Sequence, residues 1–144
     1  MDGMGAMASD VAPADGPMTA EEYINRALDR HDHYDYPRAI RLLTAALHLD
    51  PNNADAYFHR GHAYRLDGNL SAAIEDYTRA LELDPHFAAA YYHRAGLRKL
   101  QLDVEGAIAD YTAYLRVCQG LCEEDRREVE QSIRDLRAEL GRPA

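Results

Sequence analysis

The chain has 144 residues, 47% of them hydrophobic, which suits one domain with a core of its own. Its net charge of −9 argues against a phosphate-binding surface, and so against nucleic acid as a partner. No run of about 18 apolar residues occurs, so no membrane-spanning helix is expected, and two cysteines, Cys118 and Cys122, are too few for a disulfide framework and read as reduced structural thiols.

Residues 1–18 are rich in Ala, Gly, Asp, Met and Pro and read as a disordered tail. They have neither the basic start nor the apolar stretch of a secretory signal, so the expected compartment is the cytoplasm. From residue 20 onward a repeat organises the chain. Glu22–Arg30 reads EYINRALDR, Ala56–Tyr64 reads AYFHRGHAY and Ala90–Arg98 reads AYYHRAGLR, in matching places of blocks 34 residues long. Blocks 20–53, 54–87 and 88–121 align without gaps. They agree at Ala20/Ala54/Ala88, Tyr23/Tyr57/Tyr91, Arg26/Arg60/Arg94, Ala39/Ala73/Ala107, Ile40/Ile74/Ile108, Thr44/Thr78/Thr112 and Leu47/Leu81/Leu115.

Each block predicts two helices. The first carries apolar and aromatic residues at helical spacing, as in Tyr57, Phe58, Gly61 and Tyr64; the second does so through Ala73, Ile74, Tyr77, Ala80 and Leu81. Asp35, Asn69 and Asp103 share the repeat position where an N-cap is expected, and Pro37 fits a first helical turn. Asp50-Pro51 and Asp84-Pro85 stop the second helices of the first two blocks. In residues 123–140, Val129, Ile133, Leu136 and Leu140 form one apolar stripe on an otherwise charged helix, ended by Gly141 and Pro143. The chain thus divides into a tail (1–18), a repeat region (19–121) and a capping helix with a short tail (122–144). The expected fold class is all-α.

The pattern resembles the tetratricopeptide repeat family. Block two carries its signature as Tyr57, Gly61, Tyr64, Ala73, Tyr77, Ala80 and Pro85. Block one keeps Tyr23, Ala27, Ala39, Ala46 and Pro51 but has Arg30 and Leu43 at two aromatic positions. Block three keeps Tyr91, Ala95, Ala107 and Tyr111, and departs at Arg98, Tyr114 and Gln119. The resemblance implies an α-solenoid of three helix pairs closed by the end helix. One helix pair cannot bury its own apolar face, so about three must stack, with a polar cap at the end.

The resemblance also implies a concave groove lined by the first helices. Its positions fall on Ile24 and Leu28, on Phe58, His62 and Arg65, and on Tyr92 and Lys99, with His59 and His93 beside them. Ile24, Phe58 and Tyr92 share one repeat position and are expected to form an apolar stripe, the mark of a partner site. A subset of the family grips the C-terminal carboxylate of heat-shock chaperones with lysines, asparagines and an arginine. The matching positions here hold Ile24, Leu28, His59, Ala89 and His93, so that ligand is not expected.

The stretch Phe58-His59-Arg60-Gly61-His62 is the place where chemistry would be sought. A metal centre needs three or four converging ligands. The repeat accounts for these residues instead: His59 and His93 occupy one repeat position, where block one has Asn25. Arg60 and Arg94 are expected to pair with Asp76 and Asp110; for Arg26, block one offers Leu42. No nucleophile–base set, Gly-rich phosphate loop or H-E-x-x-H motif occurs. The reading is a non-catalytic adaptor for a protein or peptide, with no cofactor and no metal. The second reading is a module that self-associates weakly through Tyr114 and the end helix.

Overall fold

A computed structural model describes residues 16–120 and 123–141, apart from the side chain of Asp32. Among these residues there are seven helices and no strand: α1 (Ala20–Asp32), α2 (Tyr36–Leu49), α3 (Ala54–Leu66), α4 (Leu70–Leu83), α5 (Ala88–Leu100), α6 (Val104–Cys118) and α7 (Glu123–Gly141). They fall into two compact units, Met1–Arg79 and Ala80–Ala144. Of the expected disordered tail, residues 1–15 lie outside the described residues, whereas Met18 is buried.

The helix starts follow from local chemistry. Thr19 and Glu22 form a reciprocal capping box on α1: the Glu22 amide donates to Thr19 Oγ1 (3.2 Å) and the Thr19 amide to Glu22 Oε2 (2.7 Å). Asp35, Asn69 and Asp103 accept from the amides of Arg38, Ala72 and Gly106 at 3.3, 3.2 and 3.0 Å, capping the second helix of each repeat as expected.

The turns before those caps share one geometry. The amides of Asp35, Asn69 and Asp103 donate back to the carbonyls of Arg30, Tyr64 and Arg98, the six-residue closure of a Schellman motif. The motif needs a left-handed residue just ahead of the cap. Gly68 supplies it at φ 87°, but the matching positions hold Tyr34 (φ 61°) and Leu102 (φ 63°), where an L side chain is strained.

In the first unit the core is formed by Ala27, Ala39, Leu42, Leu43, Leu47, Ala56 and Ala63, with Tyr23, Ile24, Ile40 and Tyr57 packed against it. Small residues let the helices approach, and Gly61 is the tightest case. A Cβ there would lie 3.1 Å from two ring atoms of Tyr77 and 3.2 Å from the Ala73 carbonyl. Tyr77 itself is wholly buried, so its ring occupies the space that the missing side chain leaves.

In the second unit α7 supplies Val129, Ile133 and Leu136 to a cluster with Ala95, Ala107, Tyr111, Tyr114 and Cys118. Two expectations are corrected here. The apolar stripe of α7 ends at Leu136, because Leu140 is 51% exposed, beyond the surface that α7 covers. Cys118 is half of a disulfide rather than a reduced thiol; Cys122 lies outside the described residues.

Candidate functional site

Arg60 is the pivot of the first unit. Its Nε and Nη2 donate to Asp76 Oδ2 and Oδ1, both at 2.8 Å, and its Nη1 donates to Thr44 Oγ1 at 3.2 Å. The Thr44 hydroxyl donates in turn to the Ile40 carbonyl at 2.8 Å. One side chain therefore ties α3 to both α4 and α2. Burial pushes the Asp76 carboxyl up, while the Arg60 hydrogen bonds pull it back. The guanidinium is raised first by its hydrogen bond to Asp76. The Arg60 guanidinium keeps its proton at neutral pH.

The second unit repeats the device with an addition. Arg94 binds Asp110 through Nε (2.9 Å) and Nη2 (2.7 Å), and Arg98 adds a third contact from Nη1 at 3.0 Å. Arg98 stands where block two has Tyr64, so the departure from the family pattern supplies a second cation to a buried acid. Block one has Leu42 at the acid position, fully buried. The arginines with an acid opposite are thus internal ties and do not form an anion-binding ladder.

The expected groove residues of the first unit divide by exposure. Ile24 packs on the core, whereas Leu28 is exposed. Phe58, His59, His62 and Arg65 are half-buried along α3. The His62 ring stacks on His31 of α1 (4.8 Å, 17°) and lies nearly parallel to Phe58 (6.3 Å, 12°). Arg65 Nη2 lies 2.9 Å from His62 Nδ1, and since arginine only donates, the ring nitrogen is the acceptor. Burial lowers the His59 pKa, against the pull of Asp55. Among the described residues, no group of three or more His, Cys, Asp or Glu is placed to hold a metal ion. His31 was the partner that sequence spacing did not pair with His62. His31 stands one repeat before Arg65, the residue that His62 touches, and that register was the available signal.

In the second unit, Tyr92 and His93 line a cleft of about 410 Å³ together with Ala88, Ala89, Tyr114 and Asp125. Lys99, two turns further along α5, is exposed and not part of it. Tyr114 is 5% exposed, and its hydroxyl donates to Asp125 of α7 at 3.1 Å, so it packs largely within its own chain. Neither Tyr114 nor Asp125 was foreseen as a lining residue. The signal was Tyr114 itself, the one large residue where Ala46 and Ala80 stand in the other repeats.

Capped helix pairs, tied by buried ion pairs and leaving side chains of their first helices on the surface, define an all-α helical-repeat protein. Residues 54–87 match the Tetratricopeptide repeat family and residues 35–68 the TPR repeat family. Residues 35–87 thus carry tetratricopeptide repeats, and the fold is an all-α solenoid of three tandem repeats with a capping helix. Among curated proteins none matches the chain.

Solved structures share the fold. The first TPR of Spaghetti (RPAP3) bound to the HSP90 peptide SRMEEVD is 22% identical, over 86% of this chain and 94% of that one, with a TM-score of 0.75. The TPR2B-domain:pHsp70 complex of yeast Sti1 is 23% identical, over 83% and 97%, with a TM-score of 0.74. The Yersinia enterocolitica type III secretion chaperone SycD, in complex with a peptide of the translocator YopD, is 15% identical, over 83% and 92%, with a TM-score of 0.75. Among the described residues no helix is long and apolar enough to cross a membrane.

Proposed function

We propose that the chain is a non-catalytic adaptor that binds a protein or peptide segment against the first helices of its repeats. The observation that carries this reading is the cleft of the second unit, where Ala89, Tyr92 and His93 of α5 meet Tyr114 and Asp125. A concave site with aromatic walls and one charged group is the usual form of a ligand pocket. In the first unit, Leu28, Phe58, His59, His62 and Arg65 are the corresponding surface. The peptide complexes of proteins that share the fold support the same use here. The net charge of −9 favours a protein partner over nucleic acid.

The ligand differs in kind from the acidic SRMEEVD tail bound in one of those complexes. The positions that would grip a terminal carboxylate hold Ile24, Leu28, His59, Ala89 and His93. Apolar and aromatic anchors therefore dominate recognition.

Selection of random peptides on phage against the purified chain tests the adaptor reading. Enriched peptides should bind the chain and lose affinity with Phe58→Ala/Tyr92→Ala. Failure to enrich any peptide, or enrichment indifferent to both changes, rejects it. Size-exclusion chromatography with light scattering addresses self-association; a clean monomer rejects that second reading.

A further inference from the structure

The cleft of the second unit has a chemical bias. Ala88 and Ala89, both small, line it beside the Tyr92 ring, which is only half-buried. Tyr92 lies 5.3 Å from Tyr114 at 51°, 6.1 Å from Tyr111 at 71° and 5.5 Å from His93 at 81°. Rings so inclined do not stack flat on one another; Tyr111 and Tyr114 are buried, and Tyr92 is the half-buried ring with surface to offer. Aromatic faces carry partial negative charge and attract cations.

Formal negative charge sits at the same place. Asp125 lines the cleft, and Glu128 follows one turn later on α7. Both act on the tyrosines: burial first, then Glu128 and Asp125, raise the Tyr92 phenol, and Glu128 contributes to raising Tyr111. Three arginines of the unit are directed elsewhere. Arg94 and Arg98 are bound to Asp110, and Arg126 reaches Glu123 and Glu130. Among the described residues Asp125 has the Tyr114 hydroxyl as its hydrogen-bond donor and no arginine or lysine as its ion-pair partner.

We propose that this cleft receives a basic side chain, lysine or arginine, from the bound peptide. The alkyl stem lies over Ala89 and Tyr92, and the cationic head sits between the tyrosine rings and the carboxylates of Asp125 and Glu128. Charge complementarity selects this occupant: an apolar side chain leaves the acids unanswered, and an acidic one is repelled by them. Long basic side chains suit the site because they bury an apolar stem while the charge stays at a polar rim. The inference rests on the adaptor reading and specifies what its peptide must contain.

The test is a titration of the isotope-labelled full chain, followed by NMR, with three blocked pentapeptides: Ala-Leu-Lys-Leu-Ala, its norleucine analogue and its glutamate analogue. Norleucine keeps the stem and removes the charge. The lysine peptide should perturb Tyr92, His93, Tyr114 and Asp125 saturably and bind about fivefold or more tighter than the norleucine peptide, as a cation–π contact with a charge partner provides. The advantage should shrink with added salt. Asp125→Asn, which keeps an acceptor for Tyr114, should remove most of it; Tyr92→Leu is the second variant. Equal binding of the lysine and norleucine peptides at these residues overturns the inference and leaves peptide binding standing. No perturbation by any of the three at millimolar concentration also overturns it, and the adaptor reading is then decided by the phage selection alone.

Discussion

Arg60 and Asp76, sixteen residues apart, meet through two hydrogen bonds of 2.8 Å that join the two helices of one repeat. The acid side chain is 7% exposed and the arginine 20%. A buried pair of this kind is held together less by net attraction than by the cost of leaving either charge alone.

Arg60→Ala should therefore destabilise the chain by ~3–5 kcal/mol, because Asp76 is left buried without its cation. Replacing both partners with apolar residues of similar size, as Arg60→Met/Asp76→Leu, should recover most of the loss. Urea denaturation of both variants measures the difference. A double variant as unstable as the single one would show that the Thr44 contact or the packing, and not the stranded acid, carries the effect.

Gly61 and Gly96 make opposite predictions within the same type of helix. A methyl group at Gly61 meets the Tyr77 ring and the Ala73 carbonyl, whereas nothing lies within 4 Å of one at Gly96. Gly61→Ala should lose ~1 kcal/mol net, overpacking outweighing the gain in helix propensity. Gly96→Ala should gain ~0.5–1 kcal/mol. Chemical denaturation midpoints that move in the same direction for both would contradict this packing.

Leu102 occupies the left-handed position where block two has Gly68, and it is 84% exposed, so it has little packing to lose. Relief of its strain is worth ~1–2 kcal/mol, less ~0.5–1 kcal/mol for the freedom glycine gains when unfolded. Leu102→Gly should raise Tm by about 2–4 °C. A drop in Tm would mean that the side chain makes a stabilising contact at this turn.

Burial, and then the hydrogen bond to Asp125, push the Tyr114 phenol up to about 12. An ordinary tyrosine, as in the unfolded chain, titrates near ~10. The folded state thus holds the proton more tightly, and the stability this contributes is complete below pH ~10 and lost as pH rises through about 12. Over that window the loss should reach ~2–3 kcal/mol. Tyr114→Phe should flatten the decline, as read from urea midpoints between pH 9 and 12. An unchanged slope would remove Tyr114 as the group responsible.

The repeat was legible in the sequence because its physics is local or periodic. Asp35, Asn69 and Asp103 cap helices within their own first turns, and Tyr57, Gly61 and Ala73 recur at the spacing that close helix packing requires. The arginine pairs were legible too, since Asp76 and Asp110 stand at a constant offset from Arg60 and Arg94. What the tertiary structure decided depends on how side chains of helices distant in sequence meet. The stacking of His62 on His31 needs α1 and α3 side by side. The cleft needs α5, α6 and α7 together: Tyr92 and Tyr114 share a place in space but no place in the repeat, and Asp125 belongs to a helix outside it. The same holds for Leu140, apolar and in register with Ile133 and Leu136, yet exposed because the surface beneath α7 ends one turn before it. Periodicity assigns a residue to a helix face, but only packing determines how far along the helix that face is covered.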